Sequence, residues 1–320
     1  MPKEPLKPDL DTKRKGPRTV YATLQDLVKL QLDAKGFSFL PKFAVQSILS
    51  GKHRSKLRGR GLDFDEVRKY IPGDDIRNID WKVTARVGVT HTKEYTEERE
   101  RPVFILTDQS RSMFFGSSLY FKSVMATHLT ALSCWRTINV SDRVGGIVFN
   151  DQTDSYIKPQ RNRKTVQQFL SQISDYNHRL SLTKETPADQ NPLLKALTKA
   201  NQLITHDHLV VVLSDLQKVD NETIKQLIKI KKNNDLIFVN ISDPLETHMD
   251  FQQIVISDGH YRINVSGRSK LINSYKSKQK EMMVEHKNTF NKYGIPLLQI
   301  TTEEEAITQL RSHLSHLQKN

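Results

Sequence analysis

The chain has a single cysteine, Cys134, in 320 residues. No internal disulfide can form, so the fold must rest on packing, and a buried thiol in a reducing compartment is the simple reading. No apolar run approaches the ~20 residues that a membrane-spanning helix needs. Residues 1–19 carry prolines and lysines without an apolar stretch, which argues against a secretory signal. Together these absences place the expected protein in the cytoplasm. Also missing are a Gly-x-Ser-x-Gly elbow, a His-Glu-x-x-His pair, a Cys/His nucleophile pair and a phosphate-binding glycine loop. Acids are scarce at the start: residues 1–60 hold 14 Lys and Arg against 5 Asp and Glu, within a net charge of +13. That imbalance favours an anionic partner, whether nucleic acid, acidic lipid or an acidic protein face.

What is present suffices for a substantial core: 37% hydrophobic residues beside 27% charged ones. From Pro102 onward, short apolar runs alternate with helical periodicity, the pattern of an α/β sheet. Strands are expected at 102–107, 143–149, 208–214, 235–241 and 296–301. Helices are expected at 117–139, 162–175, 191–204, 221–233, 269–292 and 303–317. Asp154–Lys158 reads as an antiparallel edge strand, and Ile254–Val265 as an inserted hairpin. Between Leu119 and Ile138 only Lys122 and Arg136 are charged, so the 117–139 helix should be buried nearly all round, with His128 a core or boundary residue.

Upstream, residues 1–22 form a basic, Pro-rich tail expected to be disordered. Residues 23–100 read as a small α+β subdomain before the main domain at 101–320. A helix is expected from Thr23 to about Ala34, a second short helix after Pro41, and a strand at Thr90–Thr96. Lys52, Arg54, Lys56, Arg58 and Arg60 occupy alternate positions with no acid among them. If extended, all five face one way and suit phosphates; as a solvated arm they do nothing specific. The absence of interleaved aromatics weakens single-strand binding.

The stretch around which the chain is organised is Thr107-Asp108-Gln109-Ser110-Arg111-Ser112-Met113. A strand that delivers Asp-x-Ser-x-Ser into a loop before a helix brings Asp108, Ser110 and Ser112 to one side. A carboxylate and two hydroxyls are hard donors, suited to Mg²⁺ or Mn²⁺ rather than zinc. The competing reading is that the serines cap the following helix and Asp108 binds the loop backbone.

Asp-x-Ser-x-Ser after a buried first strand resembles the metal-ion-dependent adhesion site of von Willebrand factor A domains. The run Gly59–Trp81, with Tyr70-Ile71-Pro72-Gly73-Asp74-Asp75-Ile76-Arg77-Asn78-Ile79-Asp80-Trp81 at its end, resembles the signature of a bacterial family called "domain of unknown function 58". The likeness implies a von Willebrand factor A-like, mostly parallel sheet flanked by helices. It implies direct cation contact by Ser110 and Ser112, Asp108 acting mostly through water, and Asp215 as an outer acid on a third loop. Asn191 falls where that pattern expects threonine, with Thr186 and Asp189 as substitutes. Family members often accompany MoxR-type AAA+ ATPases, which makes such an ATPase or its substrate the implied partner. In the signature, Gly73, Asp74, Asp75, Arg77, Asp80 and Trp81 read as structural, a capped turn, an Asp–Arg pair and a Trp anchor; the lesser alternative is a site formed by Asp74, Asp75 and Asp80 near Arg77 and Trp81.

Three functions follow. The leading one is a non-enzymatic, divalent-cation-dependent protein-interaction module. Nucleic-acid binding through the Lys52–Arg60 ridge is the alternative. A metal-dependent hydrolase comes last, since it needs a general base or second metal near Ser110.

Overall fold

The computed structural model describes residues 19–34, 62–97, 101–180, 191–247, 254–257, 262–265 and 270–316. In chain order the elements are α1 (Leu24–Lys29), β1 (Leu62–Lys69), α2 (Trp81–Val87), β2 (His91–Glu97), β3 (Val103–Asp108), α3 (Lys122–Asn139), β4 (Val144–Phe149) and β5 (Asp154–Gln160). There follow α4 (Arg163–His178), α5 (Pro192–Leu203), β6 (Leu209–Ser214), α6 (Asn221–Lys231), β7 (Asp235–Ser242), α7 (Pro244–Thr247), β8 (Ile254–Ser257), β9 (Arg262–Val265), α8 (Lys270–Lys292), β10 (Leu297–Thr301) and α9 (Ala306–His316).

Six strands form one sheet in the order β10-β7-β6-β3-β4-β5. Every pairing is parallel except that of β5, which runs antiparallel to β4 at the edge. The central strands β3, β4 and β6 are buried along their whole length. Their side chains divide by the two-residue period of a strand. Val103, Ile105, Val211 and Leu213 pack with α3 and α4 on one face, while Phe104, Leu106, Val210 and Val212 pack with α5 and α6 on the other. Helix α3 is buried nearly all round, from Val124 and Met125 to Trp135, as its near lack of charge predicts. Cys134 lies within it, fully buried. This is the α/β architecture expected from the sequence, a mostly parallel sheet flanked by helices.

The chain divides into two compact units, one of residues 1–41 with 101–320 and one of residues 42–100. The expected boundaries at 22 and 100 therefore need correction at the first. Thr19–Ala22 are not a loose tail: Thr19 bridges to Tyr120, and Ala22 is buried. Helix α1 belongs to the large unit, because Leu27 sits in its core and Trp135 Nε1 donates to Leu27 O at 3.0 Å. A buried polar chain fastens this segment. Asn177 accepts from Ala22 N at 2.8 Å and donates to Gln109 Oε1 at 3.0 Å, while Ser174 Oγ donates to Ala22 O at 3.0 Å. Residues 1–18, the helix expected after Pro41 and the Lys52–Arg60 ridge lie outside the described residues.

The small unit pairs β1 with β2 antiparallel, with an irregularity between Phe64 and Glu66. Pro72-Gly73-Asp74 forms the expected turn, Gly73 adopting φ +106° where a side chain would be strained. The Asp–Arg pair is Asp74 with Arg68, not Arg77: the guanidinium meets both carboxylate oxygens, at 2.7 and 2.8 Å, and also Glu94 at 3.1 Å. Asp75 caps the single helical turn Ile76–Asn78, accepting from Arg77 N at 3.0 Å. Asp80 caps α2, accepting from Lys82 N and Val83 N at 3.0 and 3.1 Å. Trp81 is no anchor: as the first residue of α2 it points outward and is 69% exposed.

Asn177→Ala removes a buried amide that joins three segments and orphans Ala22 N and Gln109 Oε1. A loss of about 2–3 kcal/mol in urea unfolding is expected, together with faster proteolysis near residue 22.

Candidate metal centre at the carboxyl edge of the sheet

Parallel strands end together, so the loops that follow β3, β4, β6, β7 and β10 share one edge, where open α/β sheets place their ligands. Each of the first four loops carries an acid: Asp108, Asp151, Asp215 and Asp243. Asp108 ends β3 and is buried. One of its oxygens accepts from Ser110 N at 2.7 Å and the other from Ser214 Oγ at 2.6 Å. Burial, and next the charge of Asp215, push its carboxyl up to about 6, against the pull of those hydrogen bonds.

The loop is held by its neighbours rather than by itself. Gln109 N donates to Phe149 O at 2.8 Å, and its side chain reaches Ser123 O at 3.0 Å. Arg111 N donates to Asp151 at 2.7 Å. Further along, Ser117 N donates to Asp243 at 2.7 Å and the Ser117 hydroxyl to the same carboxylate, which also accepts from Thr302 Oγ1 at 2.5 Å. Asp243 therefore ties the loop to the ends of β7 and β10.

Ser110 Oγ and Ser112 Oγ lie 3.2 Å apart. Neither caps α3, whose N-cap is Phe121, and Ser110 makes no side-chain cap of the short turn 111–113. The two hydroxyls are partners of one another, and that of Ser110 also favours the charged form of Asp108. Ser110 is buried and Ser112 partly exposed, which leaves the pair open on the Ser112 side. A carboxylate beneath two such hydroxyls is a hard-oxygen set that fits Mg²⁺ or Mn²⁺.

Asp215 is committed differently. One oxygen accepts from Gln217 N at 3.1 Å, and the other meets Lys122 Nζ at 3.0 Å. Lys122 is fully buried and also reaches Glu246 at 2.6 Å. Burial alone would push its ammonium down; Asp215 and Glu246 outweigh that and hold it above the usual lysine value. Asp215 thus acts on Asp108 as a neighbouring charge while it is paired with Lys122.

Asn191 is occupied elsewhere. Its carbonyl oxygen caps α5, accepting from Leu194 N at 3.1 Å, and its amide donates to Lys218 O at 2.7 Å and Thr223 Oγ1 at 3.1 Å. An asparagine before Pro192 is a good helix cap, and that use takes one of the two lone pairs of its oxygen. Thr186 and Asp189 lie outside the described residues. So the structure brings Asp108, Ser110, Ser112 and Asp215 to one edge and turns Asn191 to structural work. Sequence reasoning missed Ser214, Lys122, Asp243 and Glu246. The available signal was an acid or hydroxyl following each buried strand, together with a lone lysine in an otherwise apolar helix.

The fold is an α/β one, a mostly parallel six-stranded sheet flanked by helices. The sequence model of the family described as "Protein of unknown function DUF58" matches residues 66–278, more than half the chain, and the chain belongs to that family. Relatives include uncharacterized proteins of Mycobacterium bovis (Mb1516) and Mycobacterium tuberculosis (Rv1480), each 22% identical over 231 residues, covering 72% of this chain and 71% of theirs. Similar solved structures include BatB from Bacteroides thetaiotaomicron, at 13% identity and TM-score 0.37, covering 69% of this chain and 100% of that one. The SpRpn10 VWA domain matches at 15% identity and TM-score 0.37, covering 67% and 95%.

Two measurements check this charge arrangement. Lys122→Met leaves Asp215 and Glu246 buried without their cation and should cost about 3–5 kcal/mol, most of it recovered when Asp215→Asn and Glu246→Gln are added. For Asp108 the native carboxyl binds its proton more tightly than the unfolded one. Its contribution to stability is full below the ordinary value of 3.8 and is lost as pH rises through about 6, a swing of about 3 kcal/mol. In EDTA, Asp108→Asn should remove that decline between pH 4 and 7.5, as read by denaturant midpoints.

Proposed function

We propose that the protein is a non-enzymatic interaction module that recognises a partner's carboxylate through a divalent cation at Asp108, Ser110 and Ser112. One observation carries this reading: two serine hydroxyls, 3.2 Å apart and paired with each other, lie beside a buried carboxylate and are open on the Ser112 side. Such a set keeps spare polar capacity at a protected edge, which natural sites rarely leave unused. A bound Mg²⁺ or Mn²⁺ would supply a Lewis-acidic point for a carboxylate oxygen from another protein. Ser110 and Ser112 would hold it directly. Asp108, fixed by Ser110 N and Ser214, would act from beneath, and Asp215 would add negative charge while keeping its tie to Lys122.

The neighbouring groups favour binding over catalysis. Asp215 and Glu246 share the Lys122 ammonium, and Asp243 is engaged by Ser117 and Thr302. A general base needs a lone pair in reach of a substrate proton, and each of these acids is already engaged by donors of this chain. A partner's acid would complete the positions on the cation that this chain's own side chains leave open. The family likeness supplies the partner to try first, a MoxR-type AAA+ ATPase or its substrate.

Calorimetry at pH 7.5 should show Mg²⁺ or Mn²⁺ binding that vanishes in a Ser110→Ala/Ser112→Ala variant of unchanged circular dichroism. Pull-down with the chain should retain a partner in Mg²⁺ and lose it in EDTA. No heat with either cation, or retention unaffected by EDTA, would sink the reading.

A further inference from the structure

The small unit carries a surface that the centre at the sheet edge does not use. Ile71, Ile76, Trp81, Val87 and Val89 are 47–69% exposed, all within one stretch of the family signature and the helix after it. At 100° per residue, Trp81, Lys82, Ala85 and Arg86 fall on one side of α2, and all four are exposed. Val83 and Thr84 fall on the other, where Thr84 Oγ1 accepts from His91 N at 3.0 Å. Val87, at the end of that second side, is exposed, and the first side carries a tryptophan and two cations.

The charges on this stretch are sorted. Asp74 is held by Arg68, Asp75 by Arg77 N, and Asp80 by Lys82 N, Val83 N and Lys93 at 3.6 Å. Arg77, Lys82 and Arg86 have no acid partner among the described residues. The acids work as caps and bridges, and the cations face outward beside apolar side chains. Tryptophan and arginine are the residue types that carry binding energy when an interface closes over them, and clustered exposed apolar side chains mark interaction sites.

We propose that this outer face of α2, with Ile76 and Arg77 before it, docks a segment of another protein that has apolar anchors flanked by Asp or Glu. Charge complementarity selects that occupant. A second copy of the chain would set Lys82 and Arg86 against themselves across a two-fold interface. Nucleic acid would meet one aromatic among aliphatic side chains that cannot stack on bases. The surface needs no metal, so it stands or falls apart from the cation reading.

The full chain contains its own reporter. Of its two tryptophans, Trp135 is fully buried, so acrylamide quenching reports Trp81. The probes are a synthetic amphipathic peptide with Leu and Phe on one face and Glu on the other, its Lys-bearing counterpart, phosphatidylglycerol vesicles, and a single-stranded oligonucleotide. The Glu peptide alone should shield Trp81 and shift its emission to the blue, equally with Mg²⁺ or EDTA. Lys82→Glu/Arg86→Glu, of unchanged circular dichroism, should weaken that peptide about tenfold or more by anisotropy, and Trp81→Ala likewise. Equal binding of both peptides, binding of neither, or shielding of Trp81 by vesicles, by the oligonucleotide or by raising the chain's own concentration would overturn the proposal.

Discussion

Burying carboxylates side by side at one edge of a parallel sheet is the constraint on which this site depends. Strands that run the same way end at the same level, so Asp108, Asp215 and Asp243 come together because the sheet is parallel. Like charges in a protein interior repel strongly, and each must be matched or held by donors. The chain meets this in three ways. Asp108 receives a backbone N–H and a serine hydroxyl, Asp215 receives the Lys122 ammonium, and Asp243 gathers Ser117 and Thr302. Asp108 is matched by dipoles without a cation, and burial raises its carboxyl accordingly. A poorly compensated negative charge thus sits beneath the two serines.

The same demand explains Lys122. A buried lysine in an apolar helix is unfavourable unless it is fully paired. Placed in the first turn of α3, it reaches Asp215 at the end of β6 and Glu246 in α7 together. It links three elements distant in sequence and sets the net charge of the edge. The fastening of Thr19–Ala34 follows similar logic, since the one side chain of Asn177 serves both Ala22 and Gln109. The loop that bears the serines is therefore braced from the N-terminal segment as well as from the strands.

In the small unit, polar groups are used the other way. There the acids serve as caps and bridges to backbone and arginine, and apolar and cationic side chains beside them are left exposed. Among the described residues of this unit, Ile76, Trp81 and Val87 stay largely exposed. The signature reads as structural at Gly73, Asp74, Asp75 and Asp80, and as surface at Arg77 and Trp81.

Much of the fold could be read from the amino-acid order alone. Runs such as Val103–Asp108 and Leu209–Ser214, separated by helical periods, define buried parallel strands because only a two-sided sheet needs unbroken apolar segments. The Asp-x-Ser-x-Ser loop, the edge strand β5 and the buried α3 were equally legible, since each rests on local pattern. What local pattern could not decide was which distant groups would share one carboxylate. Asn191 as cap rather than ligand depends on Lys218 and Thr223. Asp74 pairs with Arg68 rather than Arg77 because the hairpin brings β1 back across the turn. Trp81 faces outward because Val83 and Thr84 fill the inner side of α2. Spacing along the chain determined the strands, the helices and the candidate ligands, because those follow from neighbours in sequence. Only the tertiary structure assigned Lys122 to Asp215 and Ser214 to Asp108, because a buried charge is settled by whichever group the packing brings within reach.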